Sequence, residues 1–208
     1  MPVTIHPTAI IHEKAELGEN VSVGPFTTVG PAVRIGDGTS IGTCVLIDGE
    51  TTIGANSRVY HGAAIGTPCQ DLKYRGERTF VRIGDRVTIR EYATINSATG
   101  AGESTVVGSD VLLMAYAHIA HNCVIGNHVI IANAVNLAGH VHVHDFASIG
   151  GLTPVHQFVR VGEYAFIGGG SRIPQDVPPF LKVAGSPTRV YGLNAVGLTR
   201  RGFTAAQR

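Results

Sequence analysis

Stepping through this chain six residues at a time from Ile5 to Ile173 visits 29 positions, and 26 of them are Ile, Leu or Val. The exceptions are Asp71, Glu77 and Ala101. Four residues after each aliphatic comes a smaller set, among them Val21, Thr27, Val33, Thr39, Val45, Thr51 and Ser57, and later Ala117, Cys123, Val129 and Ala147. Glycine often follows the aliphatic, as at Gly24, Gly36, Gly84, Gly126 and Gly162, where the backbone must bend. An amphipathic helix needs apolar residues at three- and four-residue spacing, and a half-buried strand needs strict alternation. A period of six with a turn in every unit fits neither. It predicts a parallel β-solenoid in which three hexads form one triangular coil of 18 residues, with the large aliphatics stacked inside. The fold class is therefore all-β, a hexapeptide-repeat parallel β-helix over residues 1–190, with a short C-terminal tail over 191–208. The spacing leaves the hand of the coil open.

Two interruptions break the hexads. Residues 67–81 run TPCQDLKYRGERTFV, polar and charged, and the phase resumes at Ile83, which marks an extruded loop. Loops on rigid scaffolds commonly carry binding residues. Residues 96–105 are rich in Gly, Ser and Thr and make a shorter excursion beside the histidine region. After Ile173, the prolines Pro174, Pro178 and Pro179 are expected to end strand pairing.

A formal net charge of +1 with 15% charged residues gives no global field for nucleic acid, so none is expected as a partner. The N-terminus lacks a basic segment followed by an apolar run, and no stretch reaches membrane-spanning length, so a cytoplasmic location is expected. Cys44, Cys69 and Cys123 are odd in number and form no CxxC, which argues against a disulfide framework or a zinc ribbon. Cys123 falls in the small inward set and reads as a buried thiol.

Division by 18 places the histidines on the coil. His118, His121, His140 and His156 leave remainders 10, 13, 14 and 12, so they share one side of the prism on successive coils, about 5 Å apart. His128, His142 and His144 fall elsewhere. A lone imidazole is usually a solvated or hydrogen-bonded side chain, but four in register suit general acid–base chemistry or metal ligation.

The run His118-Ile119-Ala120-His121, the segment Leu137-Ala138-Gly139-His140-Val141 and the tetrad Val155-His156-Gln157-Phe158 lie within the repeat. Outside it stand Gln70-Asp71-Leu72-Lys73-Tyr74, Gln175-Asp176-Val177-Pro178-Pro179 and Gly197-Leu198-Thr199-Arg200-Arg201-Gly202-Phe203. Together these closely resemble the UDP-N-acetylglucosamine O-acyltransferase family, over essentially the whole chain. The QDLKY and RRGF stretches make the likeness specific, since hexads alone are shared by many transferases and by carbonic anhydrases of this fold.

The resemblance implies a left-handed coil, a homotrimer, and transfer of a 3-hydroxyacyl group from acyl carrier protein to the 3-hydroxyl of UDP-N-acetylglucosamine, the first step of lipid A synthesis. It implies no cofactor beyond the acyl carrier protein thioester, and no metal. His121 matches the general base and Gly139 the backbone oxyanion donor. His118, His140, His156 and Gln157 match positions that hold the sugar nucleotide, and Asp71 and Lys73 match its saccharide-binding pair. Asn194, Arg200 and Arg201 match residues that meet the nucleotide and its phosphates, a task suited to guanidinium forks. Gly169, within the glycine run 168–170, matches the end of the acyl groove, which a glycine leaves open to a long chain; an alternative is that it only eases a turn.

Three features depart from the family pattern. The base is usually followed by aspartate and here by Asn122; Val196 replaces an acidic residue; and the family continues for several helices past RRGF, whereas this sequence ends at Arg208. Two further readings stay open at this level. One is a zinc-dependent hydrase of the carbonic anhydrase type using His118 and His121 with a neighbouring chain, and the other is a weakly active solenoid that binds sugar nucleotide.

Overall fold

A computed structural model describes residues 2–208. Nearly every hexad supplies one short strand, and the strands form three sheets of eleven, eight and eight members, the faces of a left-handed triangular prism. The chain visits the first face at Thr4–Ile5, the second at Ile10–Ile11 and the third at Glu16–Leu17, then returns to the first at Ser22–Val23. Pairing is parallel at one-coil separation, Ile5 with Val23, Ile11 with Val29 and Leu17 with Ile35.

The two periodic sets fill the interior. Ile47, Ile65, Ile89, Ile119, Leu137 and Ile167 are fully buried, and the smaller set packs into the corners between them. The first coil has a neighbour on one side only among the described residues, so Ile5 stays exposed and Ile11 is only half-buried. Buried hydroxyls in the small set are satisfied in a repeating way: Thr27 Oγ1 donates to the Gly42 carbonyl (2.7 Å) and accepts from the Val45 N–H (3.1 Å), and Thr39 repeats this with Gly54 and Ser57. These two hydroxyls therefore carry no unmet desolvation penalty. Cys123 is buried as expected; its Sγ–H donates to the Ala138 carbonyl, and burial pushes the thiol up to about 12.

At most corners one residue takes a left-handed conformation, and many are not glycine: Tyr116 has φ 62°, Asn122 58°, His140 61°, Phe146 61° and Phe158 65°. Such residues are uncommon and strained in isolation. Here the strain is offset by a backbone bond to the preceding coil, as from His140 N–H to the His121 carbonyl (3.1 Å) and from Phe158 N–H to the Gly139 carbonyl (3.1 Å). Aromatic and histidine side chains at these positions point outward and stack in ladders one coil apart.

Both insertions leave from the second–third corner. The extruded loop spans 68–79, between strands Ala64–Thr67 and Phe80–Ile83, slightly inside the 67–81 read from composition because Thr67, Phe80 and Val81 belong to strands. The second spans 97–103, between Thr94–Asn96 and Ser104–Val107. Ile53 pairs with Ile83 and Ile83 with Val107, so the two loops add twelve and six residues, together one coil. That is why division by 18 still places the histidines beyond residue 107.

The prolines after Ile173 do not end pairing, contrary to expectation. Ile173 and Val177 bridge to Val155 and Val161, and Leu181–Ala184 joins the first sheet beside Phe166–Ile167. The ladder needs the N–H of Val177, which donates to the Arg160 carbonyl, and the prolines sit at positions whose N–H is not needed. The parallel ladder ends at Ala184. Arg189–Leu193 then folds back antiparallel on it, followed by the helix Ala195–Arg200 and the 3₁₀ turn Ala205–Gln207, so the tail stays attached to the first face.

Candidate active site

His118 opens a second-face strand, and His121 sits three residues on in the turn toward the third face, under the two loops. The amide of Asn122 sets the orientation of the His121 ring. Asn122 Oδ1 accepts from the Thr99 N–H (2.9 Å), while Asn122 Nδ2 donates to the Thr99 carbonyl (3.1 Å), which leaves only one way round for the amide. His121 Nδ1 lies 2.9 Å from that same Oδ1 and must therefore donate its proton to it. The Nε2 lone pair of neutral His121 is left free for chemistry. Asn122 thus orients the base as an aspartate would, without the charge that would favour the imidazolium.

Gly139 lies directly against the reactive edge of that ring. A Cβ there would fall 2.5 Å from both Cε1 and Nε2 of His121, so the imidazole occupies space that any side chain would fill. The Gly139 N–H donates to no acceptor among the described residues, and it lies beside the base.

On the next coil His140 meets His121 edge to face, with ring centroids 5.1 Å apart, and stacks on Phe158 at 4.7 Å. Burial, with help from His121, holds the His140 imidazole below the usual histidine range. His118 is held down in the same way, burial first and then His121, and its Nδ1 is 2.7 Å from Thr94 Oγ1. His156 and Gln157 are exposed at the same corner one coil further, where His156 Nδ1 bonds the Gln157 carbonyl (3.1 Å).

The extruded loop brings Asp71 to the base. Asp71 Oδ1 accepts from the Lys73 N–H (2.9 Å), which turns Oδ2 toward His121 Nε2 at 3.9 Å. Lys73 is exposed beside it.

The structure does not bring every expected residue to this corner. Arg200 and Arg201 line a cavity of about 560 Å³ on the first face, with Ile130, Phe166 and Leu193, and the Arg201 guanidinium lies over the Phe146 ring (5.0 Å) at the third–first corner. Asn194 is used within the chain: its Oδ1 accepts from Gly197 N–H and its Nδ2 donates to the Tyr164 carbonyl. Gly169 occupies the first–second corner three coils above Ala115, with ordinary backbone; the left-handed residue is Gly170 (φ 68°). Among the described residues no group of three or more His, Cys, Asp or Glu is placed to hold a metal ion.

Comparison with known proteins agrees with this geometry. Residues 176–208 match the family described as UDP-N-acetylglucosamine O-acyltransferase, domain 2, residues 104–139 match bacterial transferase hexapeptide repeats, and residues 2–112 match the GMPPB C-terminal domain. The acyl-[acyl-carrier-protein]–UDP-N-acetylglucosamine O-acyltransferase of Gloeothece citriformis is 55% identical over 203 residues, 98% of this chain and 74% of that protein. The chain belongs to this O-acyltransferase family. The Synechocystis member is 54% identical over 97% of this chain and 73% of its own. Among solved UDP-N-acetylglucosamine acyltransferases, that of Campylobacter jejuni superposes with TM-score 0.93 at 44% identity, covering 98% of this chain and 79% of its own. That of Francisella novicida gives 0.95 at 40% identity, covering 98% and 75%. Membership favours acyl transfer over the zinc-hydrase reading.

Sequence reasoning picked out the four histidines, Gly139 and Asp71. It missed Thr94 and Thr99, whose roles come from strands and loops that meet only in space. It also treated Asn122 as a missing carboxylate and not as a clamp.

Proposed function

We propose that this chain transfers a 3-hydroxyacyl group from the thioester of acyl carrier protein to the 3-hydroxyl of UDP-N-acetylglucosamine, the entry reaction of lipid A synthesis. The observation that carries the reading is the Asn122 amide, which holds His121 with a free Nε2 lone pair beside Gly139. His121 Nε2 takes the proton of the sugar hydroxyl as its oxygen adds to the thioester carbonyl, and the Gly139 N–H donates to the developing oxyanion. The C–S bond then breaks, and the imidazolium returns the proton to the departing carrier thiolate. Asp71 favours the imidazolium meanwhile, and Asp71 with Lys73 grips the saccharide. No metal or other cofactor enters.

Within one chain, Arg200 and Arg201 lie on the first face and the histidines at the second–third corner. The reading closes the site between copies in a homotrimer: the C-terminal segment of one copy brings its guanidinium groups to the sugar nucleotide held by His118, His140, His156 and Gln157 of the next. Among the described residues no helix is long and apolar enough to cross a membrane. The carrier protein and nucleotide sugar place the reaction in the cytoplasm.

Gly169 stands three coils above the coil of His121, roughly 14 Å along the prism, and across the second face from it. A groove of that reach suits a long acyl chain. The test is acyl transfer with 3-hydroxyl and 3-amino acceptors and a ladder of carrier-bound donors. Turnover is expected on the hydroxyl acceptor with long donors, and Gly169→Met should favour a donor several carbons shorter, at about 1–3 kcal/mol per excluded methylene. Absence of turnover with every pair defeats the reading. Equal loss of all donors in the methionine variant makes Gly169 a turn residue.

A further inference from the structure

Of the three residues that break the six-residue series, Asp71 is absorbed by the site, and Ala101 sits at a loop tip. Glu77 is the remaining one, and nothing in the reaction as written uses it. We propose that Glu77 is a positioning residue, whose carboxylate ties the substrate-gripping loop to the Thr99–Gly100 peptide and, through Asn122, holds the His121 imidazole in line. The proposal rests on the general-base reading of His121.

The connection is continuous. Glu77 Oε1 accepts from the Gly100 N–H (2.9 Å) and from Thr99 Oγ1 (3.2 Å), so one oxygen of the 68–79 loop grips the turn of the 97–103 loop. Its other oxygen accepts from the Arg75 N–H (2.8 Å), which fixes the carboxylate within its own loop. Thr99 in turn gives both its N–H and its carbonyl to the Asn122 amide, and Asn122 Oδ1 receives the His121 Nδ1 proton. The carboxylate that this chain lacks beside its base thus stands one peptide further out. The gathered N–H donors, Gly100 first, hold the Glu77 carboxyl down to about 2, so it is ionised throughout the working range.

The two loops are also joined at their roots, by Gly102 N–H to the Arg78 carbonyl (2.9 Å) and Phe80 N–H to the Glu103 carbonyl (3.0 Å). Removing the Glu77 carboxylate leaves those bonds and the solenoid in place and frees the Thr99–Gly100 turn, together with the Arg75 N–H of its own loop. A freed turn lets the Asn122 amide rotate, and small misplacements of a catalytic group cost far more in turnover than in stability.

Steady-state acyl transfer by the intact chain tests this with Glu77→Ala, Glu77→Gln, Asn122→Ala and the Glu77→Ala/Asn122→Ala double variant. The alanine variant should lose about 10- to 100-fold in kcat with KM for the sugar nucleotide changed little. The glutamine variant should recover most of it, since its amide oxygen still accepts from Gly100 and Thr99. Members of one chain of contacts are non-additive, so the double variant should fall no further than Asn122→Ala alone. Near-normal kcat in Glu77→Ala, a loss confined to KM, or multiplying effects in the double variant would overturn the proposal. If the wild type shows no turnover, the base reading fails and the link is read from hydrogen exchange. Protection of the Thr99 amide should be lost in Glu77→Ala and kept in Glu77→Gln, and unchanged protection in the alanine variant sinks the link as well.

Discussion

Two corners of this prism carry the same local structure. At the second–third corner His140, in a left-handed turn, stacks on Phe158 one coil on, with centroids 4.7 Å apart and planes 13° from parallel. At the third–first corner His128, in the same kind of turn, stacks on Phe146 at 4.7 Å and 11°, and the ladder continues through Tyr164 and Phe180. Only the first corner is a site. There the repeat is interrupted twice, the inserted loops cover the turn, and a glycine opens room for a second imidazole between the coils. At the other corner no loop intervenes, the His128 side chain is 40% exposed, and Asp110, 4.0 Å away, is held bidentately by Arg86. The repeat supplies a rigid ladder of turns, and chemistry arises where insertions bury one rung of it.

The largest effect expected from this contrast is on turnover. His121→Ala should cut kcat by at least about 10²-fold with the fold retained, since the residue is not in the aliphatic core. His128→Ala should stay near wild type in the same acyl transfer assay. Equal losses at the two positions would erase the distinction between the corners.

Gly139→Ala comes next. Its methyl would meet the His121 ring at 2.5 Å, and the ring must swing out of line, so kcat should fall by about 10- to 100-fold while the melting temperature stays close to wild type. A normal kcat would mean that the ring has room the structure does not show.

A subtler change sharpens what Asn122 does. Asn122→Asp puts a charge where the amide oxygen now sits and favours the imidazolium of His121, so the acidic limb of the pH–rate profile should move to higher pH. The replaced Nδ2 also leaves the Thr99 carbonyl without its donor, which should lower the peak rate slightly. An unmoved limb would mean that position 122 does not address the base. Glu77 does not contribute that limb: its folded pKa is depressed, so its contribution to stability is complete above about pH 4.5 and is lost only as the pH falls toward about 2.

The smallest effect is on stability. The folded-state pKa values of His118 and His140 lie below the ordinary histidine value of 6.5, chiefly through burial. The unfolded chain therefore binds more protons as the pH falls through 6.5, and stability present above that pH is progressively lost below it. Thermal melts across pH 7.5 to 5 should show this decline, and His118→Gln should flatten it.

Much of the molecule was legible from spacing. The aliphatic period dictated coil size, interior and the sharing of one side by His118, His121, His140 and His156, because in a solenoid each residue's neighbours lie one fixed coil away. The motif likeness added roles, among them Asp71 and Lys73 as a saccharide-binding pair; that Asp71 Oδ2 stands 3.9 Å from His121 Nε2 came from the structure. Boundaries were less legible. Thr67 and Phe80 look like loop residues in composition but complete strands, and the prolines after Ile173 slip into a shortened last coil because each avoids a position whose N–H the ladder needs.

What the sequence alone determined is thus whatever repeats. Tertiary structure decided the rest: which tautomer His121 adopts, that Asn122 is a clamp between base and loop, that Asn194 is occupied in capping its own helix, and that Arg200 and Arg201 stand on another face from the histidines. The physical reason is the same in each case. A period constrains contacts between equivalent positions of successive coils, whereas these contacts join a loop or the tail to the repeat, and their partners have no periodic relation to one another.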